Sequence, residues 1–228
     1  MVKIEEKTEN NEKIREIAIP GELIGSASTF KPGHGTYVED NKIFSKFVGV
    51  LQKTNEYVSV IPLSGVYVPK VNDKVIGIIE EVEKFGWIID VNSAWKGFLS
   101  LSEGVDEYVD LKRVTMTRYF DVGDIIYSQV LGNKGGDIQL TMRTPIAKKL
   151  RGGVLVKITA TKVPRLIGKE GSMVNLIKEK TGTIIRVGQN GLVWISGENV
   201  DKAIKAIKMI EEKSHIYGLT DEVSKLLS

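Results

Sequence analysis

The sequence predicts a multi-domain fold of β plus α/β type. Two small β domains occupy the first two thirds of the chain, and an α/β domain occupies the last third. Three observations carry this reading. Short apolar runs broken by turn residues continue as far as Met142, and they are rich in Val, Ile, Phe and Tyr, the residues that suit a pleated, half-buried strand. Longer runs with helical spacing of apolar residues begin only after Gly152-Gly153. Charge is also partitioned, with segment nets of −1 for residues 1–68, −3 for 69–144 and +7 for 145–228. A basic segment on a near-neutral chain is the electrostatic footprint of a polyanion binder.

Composition narrows the classes. At 228 residues and 42% apolar, the chain is long enough and apolar enough for several packed domains, which excludes a disordered polymer. With no cysteine, disulfides, thiolate metal sites and a cysteine nucleophile are excluded. Met1-Val2-Lys3-Ile4-Glu5-Glu6-Lys7 is charged and lacks an apolar signal core. No run approaches the roughly 18 apolar residues that span a bilayer. A cytoplasmic location without membrane contact is expected.

The first domain is placed over 1–68. Residues 1–15 are polar and aperiodic and read as a mobile tail. Ile17 and Ile19 alternate into the Pro20-Gly21 turn. Gly35-Thr36-Tyr37-Val38 and the run 43–50 read as two strands, and Tyr57-Val58-Ser59-Val60-Ile61 as a third. His34, between two glycines, has no partner histidine nearby and reads as a turn residue rather than a metal ligand.

The second domain is placed over 69–144. Strands are predicted at 75–79, 85–91, 96–101, 122–131 and 137–142, with a longer connection over 106–116. Five short strands in such a span suggest a closed five-stranded barrel of OB type, whose open face accepts single-stranded nucleic acid. Three patches sharpen this: Phe85-Gly86-Trp87 on the second strand, Gly97-Phe98-Leu99-Ser100 on the third, and Gly123-Asp124 before the fourth. They resemble the RNA-binding domain first named from ribosomal protein S-one. The resemblance implies base stacking by Phe85, with Trp87, Lys96 and Phe98 as companion RNA contacts. A second stacking position falls on Ile88, and Ser100 stands where a histidine is often found. The competing reading of Phe85, Trp87 and Phe98 is barrel core or subunit contact.

The third domain is placed over 145–228. Residues 143–153 read as a short basic helix ending at a Gly-Gly break. A strand at 154–158 and a short helix at 162–167 lead into Gly168-Lys169-Glu170-Gly171. A helix with Val174 and Ile177 on one face follows, stopping at Thr181-Gly182. Then come a strand at 183–187, a hairpin turn at Gln189-Asn190-Gly191 expected to be type I′, and a return strand at 192–195. Asn199 is expected to cap a long amphipathic helix, and 220–227 to add a last short one. This order, and 166–187 without a gap, resembles a type I KH domain, an α/β RNA-binding module. The resemblance implies that a nucleic-acid backbone lies across the turn and about four nucleotides fill the groove behind it. The residues so implicated are Arg165, Ile167, Gly168, Lys169, Glu170, Gly171, Lys178 and Arg186. Ile167, Val174 and Ile184 are expected to form groove floor and core. Glu170 departs from the pattern, because a carboxylate in the turn opposes a phosphate.

No catalytic constellation is visible. His34 and His215 lie in different segments, and neither a phosphate-loop motif nor a nucleophile elbow occurs. The cluster Asp106, Glu107 and Asp110 sits in a polar connection and reads as a solvated face. No enzyme, cofactor or metal is expected. The domain order over the whole chain, with Ile19-Pro20-Gly21-Glu22, Gly33-His34-Gly35-Thr36-Tyr37 and Gly65-Val66-Tyr67-Val68-Pro69 in place, is similar to the RNA-binding cap family of the archaeal exosome. That resemblance implies three copies on a ring of RNase PH-like subunits, a ring-contacting first domain, and capture of single-stranded RNA for 3′-to-5′ degradation. The alternative is a transcription- or translation-associated RNA binder with no nuclease ring.

Overall fold

The computed structural model describes residues 16–107, 115–214 and 218–227. The tail at 1–15, His215 and Asp110 lie outside the described residues. The chain forms two compact units, the first ending at Gly65 and the second beginning at Val66.

The first unit contains two small sheets. One has strands in the order β1 (Ile17–Ala18), β6 (Gly49–Lys53), β7 (Tyr57–Pro62), β3 (Lys31–Pro32). The other runs β2 (Leu23–Ser26), β5 (Lys42–Ser45), β4 (Thr36–Glu39). Ala18, Ile24, Ile43, Val58 and Val60 form its core. The single strand expected over 43–50 is in fact two strands in different sheets. Ser45 breaks it: its hydroxyl donates to the Phe47 carbonyl at 2.7 Å and accepts the Phe47 N–H at 3.3 Å, which turns the chain.

The second unit opens with the barrel. Its strands are β8 (Lys74–Glu83), β9 (Gly86–Asp90), β10 (Gly97–Ser100), β11 (Ile125–Lys134) and β12 (Asp137–Thr141), with helix α1 (Leu101–Gly104) after β10. They pair in the order β12-β10-β9-β8-β11, and β11 pairs back to β12 and closes the sheet. Period-2 alternation sends Val75, Ile79, Trp87, Ile89, Leu99, Ile126, Ile138 and Leu140 inward. The expected basic helix at 143–153 is absent. Ala147 N–H closes a turn on the Thr144 carbonyl at 3.0 Å, and β13 (Lys148–Leu150) then adds to β11 as a sixth strand. Lys149 pairs with Asp124 there.

The α/β part follows as β14 (Val154–Lys157), α2 (Val163–Ile167), α3 (Ser172–Thr181), β15 (Thr183–Val187), β16 (Leu192–Gly197), α4 (Val200–Glu212) and α5 (Leu219–Leu226). The sheet is antiparallel in the order β14-β16-β15. Ile185, Val193 and Ile195 join the helices in one core with Leu166, Val174, Ile177, Ala203 and Ile207. The other face of β16 presents Leu192 and Trp194, which pack with Ile76, Tyr127 and Leu150 of the barrel sheet.

That seam is also fastened by polar contacts through the 188–191 turn. Asn190 is fully buried; its amide nitrogen donates to the carbonyls of Ile76 at 2.7 Å and Val91 at 2.9 Å. Its carbonyl accepts the Asn92 side-chain amide at 2.7 Å. Gln189 and Lys74 exchange two more bonds, at 2.6 and 2.8 Å. The type I′ expectation fails because only Gly191, not Asn190, has positive φ; Asn190 is held by the barrel backbone instead. The expected cap at Asn199 is also absent. Its side chain donates to the Thr181 carbonyl at 3.1 Å and so closes the end of α3.

Candidate nucleic-acid interface

The turn at 168–171 is built from α2 inward. Leu166 is buried in the core and Ile167 packs half-buried against it, so the helix end is fixed. Gly168 then takes φ 74° and ψ 175°. A Cβ there would lie 2.8 Å from the Met173 nitrogen, so only glycine lets the chain fold back so close to α3. Gly171, at φ 82°, is the residue before α3, and no side chain caps that helix. The Ser172 N–H is taken by the Lys169 carbonyl, and the positive end of the α3 dipole behind the turn favours an anion there. Lys169 and Glu170 stand exposed on the turn, as does Arg165 on α2. Glu170 occupies a left-handed conformation, φ 54° and ψ 25°, without being glycine.

Two cations meet near the end of α3 remote from the turn. Lys178 is half-buried, and its only described hydrogen bond is a long one, 3.4 Å, to Asn175 Oδ1. Burial, and then the nearby Arg186 charge, push its ammonium below the usual lysine range. Arg186 is half-buried with a buried Nε that has no hydrogen-bond partner. No carboxylate pairs with either among the described residues. Ile184 is not core: it lies on the opposite side of β15 from Ile185 and is 57% exposed.

The barrel sorts its predicted contacts differently. Phe85 lies in the β8–β9 turn rather than on the strand, 59% exposed, with Lys84 Nζ 5.2 Å from its ring centroid. Phe98 sits half-buried opposite Ile88 in the ladder, on the outer face. Trp87 corrects the expectation of RNA contact. It is fully buried, packs edge-on against Phe120 at 5.0 Å and donates its indole N–H to the Phe120 carbonyl at 2.9 Å. Lys96 is bonded to Glu80 at 2.6 Å, with Asp90 at 3.9 Å, and the Glu80 bond raises its affinity for its proton. A lysine among carboxylates is poorly placed to hold a phosphate.

The most consequential residue passed over in the sequence is Asn190, read only as a turn former. The signal was Gly188-Gln189-Asn190-Gly191 itself, whose two polar side chains face backbone more than a hundred residues away.

Comparison with known proteins matches this arrangement region by region. Residues 17–54 match the family model described as the exosome complex exonuclease RRP4 N-terminal region. Residues 66–132 match the RRP4 S1 domain, and residues 154–212 match the KH domain. A curated relative from Thermococcus kodakarensis, the exosome complex component Rrp4, is 44% identical, covering 94% of this chain and 86% of its own. The counterpart from Pyrococcus furiosus is 42% identical over 93% of this chain and 83% of its own. A crystal structure described as an exosome complex RNA-binding protein superposes with a TM-score of 0.66 at 32% identity, covering 72% of this chain and 95% of the other. The S1 and KH regions are binding modules, and the chain is not an enzyme. Its sequence, domain order and barrel–KH architecture together place it in the Rrp4 family of exosome components.

Proposed function

We propose that this chain is a non-catalytic RNA-binding subunit that captures single-stranded RNA and passes its 3′ end to a separate degradative ring. The observation that carries this reading is the 168–171 turn, where Gly168 and Gly171 at positive φ bend the backbone onto the start of α3, no side chain caps that helix, and Lys169 stands exposed. In this reading a phosphate lies at the positive end of α3 beside Lys169, while bases lie toward Lys178, Arg186 and exposed Ile184. Phe85 offers a stacking face on the barrel. The first unit exposes the apolar side chains of Ile19, Leu23, Val38, Phe47, Val48 and Ile61, which are available for protein contact. In this reading that unit docks on RNase PH-like subunits, and three copies cap one ring. Individual sites are then modest, and effective concentration over three copies supplies retention.

The test is fluorescence anisotropy with labelled single-stranded RNA across a salt series, together with a nucleotide-release assay. Salt-dependent binding without release supports the proposal. Degradation by the isolated chain with phosphate or magnesium overturns it. Pull-down from native cells checks the ring: recovery of RNase PH-like subunits is expected, and their absence removes the capping role.

A further inference from the structure

We propose that Trp95 is a base-stacking residue of the barrel, at the opposite end of its outer face from Phe85; the inference rests on the RNA-binding reading. Of the chain's three tryptophans, two are built into cores. Trp87 and Trp194 are buried, and each donates its indole N–H to a carbonyl, those of Phe120 and Gly152. Trp95 differs on both counts. It is 41% exposed, and its indole N–H has no partner among the described residues.

Exposure alone would mean little, but this side chain is held in place. Ser93 Oγ donates to the Trp95 carbonyl at 2.5 Å and accepts the Trp95 N–H at 3.2 Å, which fixes the backbone of the β9–β10 loop. The pyrrole side of the indole rests on Gly136 in the β11–β12 turn. A Cβ at Gly136 would fall 2.5 Å from both Cδ1 and Nε1 of Trp95, and Gly136 itself is at φ 99°. The turn thus keeps a glycine where the ring needs room. A pinned, half-exposed aromatic loses little side-chain entropy when a base covers it, which suits a stacking platform.

Its position suits the path as well. Asn92, in the same loop, donates to the Asn190 carbonyl across the seam, so the Trp95 loop is tied to the KH part. RNA leaving the KH groove toward the barrel passes this seam. Lys134, exposed at the end of β11 in the adjoining hairpin, makes no ion pair among the described residues and is available to a phosphate. The second aromatic position of the barrel carries Ile88, so Trp95 supplies the stacking face that the strand lacks.

The test uses the full chain, a fluorescein-labelled oligouridylate for anisotropy and an unlabelled one for tryptophan emission. Because the other two indoles are buried, a base on Trp95 quenches emission that Trp95→Phe no longer shows. Trp95→Leu is expected to weaken binding about tenfold, while Trp95→Phe stays within about twofold. A melting curve on each variant checks folding, and where Trp95→Leu is unfolded the wild-type quenching and Trp95→Phe decide. Wild-type binding with no quenching, or with unchanged affinity in folded Trp95→Leu, overturns the proposal. If Trp95→Leu instead loses co-purifying protein, the indole is a protein contact. Wild-type chain that binds no RNA overturns this inference and the RNA reading together.

Discussion

Glu170 sets two effects against each other in one residue. A left-handed conformation costs an L-residue about 1 kcal/mol or more relative to glycine, and its carboxylate stands in a turn that otherwise attracts anions. Replacing Glu170 with Gly removes both the strain and the charge. The expected outcome is a several-fold gain in RNA affinity at low salt and no loss of thermal stability, checked by anisotropy and a melting curve. Weaker binding by the variant would mean that the carboxylate contacts a base. Lys178 makes a pH prediction. Burial and Arg186 depress its pKa, so it loses its charge at lower pH than an exposed lysine. A bound phosphate favours the protonated form, so RNA affinity should fall as pH rises through that depressed value. Lys178→Arg should flatten the profile, since arginine stays charged. Titrations at several alkaline pH values distinguish the two.

At the scale of elements, much of the fold was legible in the sequence. The closed barrel, the β-α-α-β-β-α order and the Gly-x-x-Gly turn all follow from local signals: period-2 runs, glycine stops and helical apolar spacing. What was not legible depends on partners remote in sequence. Phe85 and Trp87, two residues apart, would share one face of a strand; they part because Phe85 falls in the β8–β9 turn and is exposed, while Trp87 on β9 points into the closed barrel. Residues 148–150 carry helix-compatible charge, yet a free edge on β11 recruits them as a strand. Asn190 reads as a hairpin residue because its amide partner Ile76 lies 114 residues away. Asn190→Ala would strand the buried Ile76 and Val91 carbonyls at the seam. The expected loss is about 2–4 kcal/mol, with the barrel and the KH part melting less cooperatively. Calorimetry on the full chain checks this. A single unshifted transition would mean that the apolar contacts of Trp194 and Leu192 hold the seam alone.

At the scale of the molecule, the chain divides its labour. Positive charge is concentrated in the last third, while the first unit exposes apolar side chains. The barrel and KH part share one seam, fastened by Asn190 and by Leu192 and Trp194. The RNA role rests on the Gly168–Gly171 turn being a phosphate site and not only a bend between helices. The direct measurement is anisotropy of labelled single-stranded RNA with the wild-type chain and Lys169→Asp, at low and moderate salt. Lys169 is exposed, so the substitution leaves the fold intact. Affinity is predicted to fall about tenfold or more in the variant at low salt, with a shallower salt dependence because a phosphate contact is lost. Equal affinities and equal salt slopes for the two proteins would contradict the account.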